Sequence, residues 1–248
     1  MTKNIMVLNN SGNVGKTWLV REILYPYLNA DISYEIETKN DSNKGFSGIK
    51  VKSFDAKDED EFVEIYNLML DDEQVKIFDV GSGDVKEFIN QFKENEGVFE
   101  FIDMILIPTV PSDKELEDTV VTLEDLAGLD VDFKKVRVIF NKIEDLNKNL
   151  EAKFPQIFSK KVLNLGLIVD KKLVLKKDNF FNKLAKAKIT TNELVADKTD
   201  YLALRKEANT NQEKLQFAEM DLLKRKSKSV KKILDTFFDD LIESFSCE

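Results

Sequence analysis

The run Asn9-Asn10-Ser11-Gly12-Asn13-Val14-Gly15-Lys16-Thr17 combines two glycines, an amine and a hydroxyl at spacings suited to holding phosphate. A phosphate carries several negative charges, and binding it needs converging N–H donors. A strand, a glycine-bearing turn and a helix N-terminus supply them, because the first helical amides have no partner of their own. Gly12 and Gly15 allow backbone conformations that side chains would block. Lys16 is placed to reach the β- and γ-phosphates, and Thr17 to set its hydroxyl on Mg²⁺. Ser11, Gly12, Asn13, Val14, Gly15, Lys16 and Thr17 are therefore the candidate phosphate-binding residues. The usual pattern has a glycine five residues before the second one; here that position is Asn10. The alternative is a chance Gly-x-x-Gly-Lys-Thr in a tight turn.

Three further groups could complete such a site. Val75-Lys76-Ile77-Phe78-Asp79-Val80-Gly81 is an apolar strand ending in an acid, a common way to bring a carboxylate near Mg²⁺. Asp79 would hold a metal-bound water, and Gly81 could offer its amide to the γ-phosphate; otherwise Asp79 merely caps a turn. Glu35-Ile36-Glu37 ends a second strand, which is either a site for an acid or a solvated strand end. Phe140-Asn141-Lys142-Ile143-Glu144-Asp145 is close to the Asn-Lys-x-Asp guanine signature, with Glu144 where aspartate belongs. Glutamate is one methylene longer and would spoil bidentate pairing with guanine. Adenine is therefore expected over guanine, unless the segment is a polar turn that touches no base.

Position by position, Asn9–Thr17 resembles the variant loop of ParA/MinD-type ATPases, Asn-Gln-Lys-Gly-Gly-Val-Gly-Lys-Thr, in which the missing glycine at Asn10 is normal. The Ser-Gly-Asn-Val-Gly-Lys-Thr form is most similar to the StbB proteins of plasmid stability and conjugation operons, a ParA-related branch. The resemblance covers roughly residues 1–169 and is carried by the loop. Two departures stand out. Ser11 occupies the place of the signature lysine that reaches across a dimer, and Asn13 replaces a glycine. Gly81-Ser82-Gly83 also departs from the prolines that usually follow the acid.

The resemblance implies a nucleotide-dependent switch binding ATP and Mg²⁺, with Lys16, Asp79 and Glu37 as its catalytic residues and Thr17 and Asp79 at the metal. Glu37 matches the acid that orients the attacking water, with Asp41 a nearby competitor. Asn141 matches the base-contacting asparagine. The resemblance further implies weak or partner-stimulated hydrolysis, a nucleotide-dependent homodimer, and a plasmid-encoded partner acting as a DNA-binding adaptor. Two other functions stay open. A small-molecule kinase would need a lid with clamping arginines, whereas Arg21, Arg137, Arg205 and Arg225 are scattered. A non-hydrolysing nucleotide-binding scaffold would suit the loss of the lysine at Ser11.

The elements that must position these residues alternate along the chain. Strands are expected at Asn4–Leu8, Ile32–Ile36, Gly48–Phe54, Val75–Val80, Ile102–Ile107 (ended by Pro108), Val136–Phe140 and Lys161–Val169. Helices are expected at Lys16–Tyr25, Glu59–Leu70, Val85–Phe92, Asp113–Leu126 and Asp178–Lys188. Strands separated by helices imply right-handed crossovers. The expected fold is an α/β P-loop NTPase: a mostly parallel sheet with helices on both faces, plus a C-terminal helical extension. The division is residues 1–190 for nucleotide binding and 191–248 for the extension. Lys198–Phe245 has no glycine or proline and reads as one long or broken helix. Its stripe of Val230, Leu234, Phe237, Leu241 and Phe245 suggests a surface for a partner or a second copy, unless it packs back on the sheet.

Composition narrows the chemistry. The chain of 248 residues has no histidine and one cysteine, Cys247, so histidine acid–base chemistry and internal disulfides are excluded. A net charge of −9 argues against broad DNA affinity. The basic run Lys224–Lys232 is the one stretch that could touch nucleic acid, anionic lipid or an acidic partner; otherwise it is a solvated helix face. No segment approaches the ~20 apolar residues of a membrane span. The apolar stretch Ile5–Leu8 is too short for a signal peptide, so a cytoplasmic location is expected.

Overall fold

The computed structural model describes residues 4–38, 46–71, 73–145 and 149–246. Among the described residues, seven strands form one parallel sheet: β1 Asn4–Val7, β2 Ser33–Ile36, β3 Val51–Phe54, β4 Lys76–Val80, β5 Met104–Thr109, β6 Val136–Ile143 and β7 Val174–Lys176. Their order is β3-β2-β4-β1-β5-β6-β7, and every pairing is parallel. The central strands β1, β4, β5 and β6 are buried on both faces almost throughout, as a sheet covered on both sides requires, while the edge strand β3 exposes Lys52 and Ser53.

Alternation along β1 shows the two layers. Met6 and Leu8 join a core with the helices Glu59–Leu70, Val85–Glu94 and Asp113–Ala127. Ile5 and Val7 join the opposite core, built with Leu19, Ile23 and the C-terminal helices. The chain reverses its crossover direction on either side of β1. The loop after β1 therefore lies at the crevice where such sheets place their ligands.

Four expectations change in detail. Residues 161–169 are not the last strand. They form the short helix Lys160–Leu163 and a turn through Gly166 at φ +86°. Val162 and Leu167 are buried while Leu163 and Ile168 are more than 40% exposed, a pattern that does not alternate as a strand must. The last strand is Val174–Lys176, beside β6.

Pro108 does not end β5, which continues to Thr109. Pairing of β5 with β1 stops at Leu106, and the Pro108 carbonyl accepts from Asn9 Nδ2 at 2.9 Å. The missing N–H on that side therefore breaks no rung of the ladder. The helix after the phosphate loop is not regular: Lys16–Leu19 leads into a π-helical stretch, Val20–Leu24, and then Tyr25–Tyr27.

The C-terminal segment is broken into Tyr201–Glu207 and Asn211–Ser246. At the break the Glu213 amide donates to Thr210 Oγ1 at 3.1 Å, and the Glu213 carboxylate accepts from the Thr210 amide at 3.0 Å. Val230, Leu234, Phe237 and Leu241 are at most 4% exposed, and Phe245 packs against the same cluster, which includes Ile23, Met104 and Ile139. The stripe is thus covered by the chain's own sheet, not left for a partner.

Candidate functional site

The loop between β1 and its helix is pinned from below by the Pro108 carbonyl of β5 and by side chains of the following helix. Asn9 Nδ2 donates to Thr119 Oγ1 at 2.8 Å, and Asn9 Oδ1 accepts from the Ser11 amide at 2.8 Å. The Asn10 amide donates to Thr122 Oγ1 at 3.0 Å. Gly15 caps the helix at φ +102°, a conformation open to glycine. A Cβ there would also sit 2.2 Å from Asn141 Nδ2, so the position excludes side chains twice over.

Two adjacent residues close the loop from the β6 side. Asn141 Nδ2 donates to the Val14 carbonyl at 2.8 Å, and the Lys142 amine donates to the Asn13 carbonyl. Lys142 adopts φ +56° where the register between β6 and β7 slips, which brings both side chains over the loop.

The result is a cavity of about 830 Å³, within the usual range for a ligand pocket. Of the residues anticipated from sequence, Gly12, Asn13, Gly15, Lys16, Thr17, Glu37, Asp79, Gly81 and Asn141 line it. Ser11 and Val14 do not. Both are buried, and they act through carbonyls that accept from Lys16 and Asn141. Asp41 lies outside the described residues.

The charges converge. Lys16 Nζ donates to the carbonyls of Asn9 at 3.0 Å and Ser11 at 2.9 Å. Burial pushes its ammonium down to about 8, against the upward pull of Asp79 and Glu37. Burial raises the Asp79 carboxyl to about 6, opposed by a hydrogen bond from Thr17 and by the charge of Lys16. A buried acid and a buried amine held away from their ordinary values make this cavity the candidate functional site. Lys142, Lys176, Lys177 and Arg21 also line the cavity, giving it a cationic wall in an acidic chain.

These residues fit a Mg²⁺–nucleotide. The loop has no room for side chains at Gly15 and carries an amine at its centre, and a hydroxyl and a carboxylate meet at Thr17 and Asp79. Among the described residues no group of three or more acids or other ligating side chains could hold a metal alone. The ion would then depend on phosphate oxygens and water for its remaining ligands, as Mg²⁺ commonly does.

Some of the site escapes motif reading. The Gly81 amide donates to the Ile36 carbonyl at 2.9 Å, so it is already committed to the sheet rather than free for a γ-phosphate. What Gly81 provides is space, since a Cβ would lie 2.7 Å from Glu37 Cγ. Glu35 is buried in the cavity wall as the cross-strand partner of Asp79. Arg21 lines the cavity one turn after Thr17 and is held by Glu22 at 2.9 Å, and the Glu22 carboxylate accepts from the Thr191 amide and hydroxyl. The spacing of Thr17 and Arg21 was a usable signal; the register of Glu35 on Asp79 was not.

The sequence matches no protein-family model and no curated protein. Among solved structures, apo McdA from Cyanothece is similar with a TM-score of 0.50 at 14% identity, over 78% of this chain and 93% of that one. The fold is that of the P-loop NTPases. The cell-division protein MinD of Aquifex aeolicus matches at TM-score 0.48 and 16% identity, over 79% of this chain and 90% of its own. The ATP complex of a Cyanothece McdA variant matches at 0.45 and 12%, over 78% and 90%. At such identities the likeness is one of fold.

The basic run of the C-terminal helix is largely used within the chain. Lys224 donates to the Thr199 carbonyl, Arg225 pairs with Asp221, Lys226 with Asp178, and Lys231 with Asp235. No helix among the described residues is long and apolar enough to cross a membrane.

Proposed function

We propose that this chain is a ParA-like nucleotide switch that binds Mg²⁺–ATP and hydrolyses it slowly. The observation that carries this reading is the meeting of Lys16, Thr17 and Asp79 at one cavity, under a loop clamped by Asn141 and Lys142. In this reading Lys16 holds the β- and γ-phosphates, Thr17 and Asp79 hold the metal, and Glu37 orients water. The loop resemblance to StbB proteins supports a role in plasmid stability, segregation or conjugative transfer. There the nucleotide state would set affinity for a second copy and for a plasmid-encoded, DNA-binding partner. With most of the Lys224–Lys232 charges paired internally, contact with DNA goes through that partner.

Turnover is slow because the loop offers no cation to the transferring group from Ser11; its amide is bonded to Asn9 Oδ1 and its carbonyl to Lys16. A supplied arginine or lysine is worth about 10³–10⁵ in rate. The test is phosphate release by the purified chain, with and without small-molecule acceptors. Release well below about one per second, unchanged by acceptors, supports the switch. Acceptor-dependent turnover at roughly tens per second would instead make the chain a kinase.

A further inference from the structure

We propose that Trp18 and Phe181 form the base-binding wall of the cavity, so that the ring of a nucleoside triphosphate lies against them while its phosphates occupy the loop. This rests on the nucleotide reading above and extends it to the part of the cavity that no motif marks. Trp18 follows Thr17 directly, at the first turn of the helix. Leu19 beyond it is 1% exposed in the core, whereas Trp18 is only partly buried and turns to the cavity. Phe181, on the helix Asn179–Ala187, meets it edge to face with ring centroids 4.8 Å apart, and it lines the same cavity.

Among the described residues lining the cavity, the other side chains are polar or charged apart from Ala185, and Gly12, Gly15 and Gly81 carry none, so this aromatic pair is its apolar platform. A triphosphate alone has no use for such a platform. A triphosphate joined to a flat ring does, because every base has a π-face that stacks on aromatic side chains. The cavity lining beside Phe181 supplies amides: Asn182 Nδ2 donates to Asn179 Oδ1 at 3.0 Å, and both residues line the cavity. Their remaining donor and acceptor groups suit the polar rim of a base.

Trp18 and Phe181 pack with one side against the core beneath, but core packing alone does not account for Trp18. Its indole N–H is shut off from solvent with no acceptor, although a buried tryptophan normally finds one. The platform is also held in place from behind. Asp178, which caps the helix of Phe181, pairs with Lys226 at 2.6 Å, and Lys183 pairs with Glu219 at 2.7 Å. Both contacts tie that helix to the long C-terminal helix.

The test separates the ring from the phosphates. Calorimetric titrations with Mg²⁺–ATP and with magnesium tripolyphosphate compare the wild-type chain with Trp18→Ala, Trp18→Phe and Phe181→Leu. We expect Trp18→Ala to lose roughly 5- to 150-fold in ATP affinity, the loss typical of removing an aromatic stacking partner. Tripolyphosphate affinity should stay within about twofold, and Trp18→Phe should recover most of the ATP affinity. Because the chain has one tryptophan, its emission reports Trp18 alone and should change when wild type is saturated with ATP. If Trp18→Ala fails to fold, Phe181→Leu and the wild-type emission decide the matter. ATP and tripolyphosphate binding unchanged in the folded variants, or an emission that ATP leaves untouched, would overturn the base wall and leave the nucleotide reading standing. Failure of wild type to bind either ligand would overturn the nucleotide reading and this proposal with it.

Discussion

Replacing Asp79 by asparagine should stabilise the metal-free protein while abolishing its Mg²⁺-dependent binding. The carboxyl is 4% exposed, and burial raises it from 3.8 to about 6. The folded state therefore holds this proton more tightly than the unfolded state. Between those two values the unfolded chain binds fewer protons, so stability falls as pH rises through that window. Above about pH 6 the whole cost is present. At about 1.36 kcal/mol for each pH unit, it comes to roughly 3 kcal/mol. Asparagine keeps the shape and can still accept from the Thr17 hydroxyl, but it carries no charge to desolvate. Urea unfolding in EDTA at pH 7 should show Asp79→Asn more stable by about 2–3 kcal/mol, with the difference vanishing below about pH 4. Mg²⁺–ATP should then raise the midpoint of wild type and not that of the variant. An Asp79→Asn protein no more stable than wild type at pH 7, or a gain that persists undiminished at pH 4, would refute the argument.

Further outcomes follow from the same structure. The Lys16 ammonium sits at about 8, and an anion beside it favours the charged form. Nucleotide affinity should thus hold below pH 8 and fall above it, and titrations in buffers of different ionisation heat should reveal proton uptake near pH 8. Leu241→Ala removes a fully buried side chain from the C-terminal helix and should cost about 2–5 kcal/mol of stability in chemical unfolding. The elution volume of the folded variant should match wild type, since that face is covered within the chain; a change in self-association would contradict the packing.

The parts of this site that could be read from sequence are those held in one short segment. The loop from Asn9 to Thr17 carries its own geometry, because Gly15 needs a positive φ and Lys16 must follow it at the helix start. Asp79 was legible for a similar reason, as the last polar residue of an apolar strand. Residues whose place depends on pairing were not. Glu35 enters the cavity through its register with Asp79, and Thr119 and Thr122 reach the loop from a helix more than a hundred residues away. The Gly81 amide looked available until the sheet claimed it for Ile36. Helical periodicity showed that Val230, Leu234, Phe237 and Leu241 share a face, but not that their own sheet covers it. Short strands were hardest: Val174–Lys176 has three residues, too few for alternation to show.

The central claim is nucleotide binding at the Lys16–Thr17–Asp79 site, and equilibrium binding of Mg²⁺–ATP to wild type and to Lys16→Ala at pH 7 tests it most directly. Loss of one charge-assisted phosphate contact worth about 1.5–3 kcal/mol predicts an affinity lower by roughly 10- to 150-fold in a variant that remains folded. ATP bound equally well by both proteins, or by neither, would contradict the account.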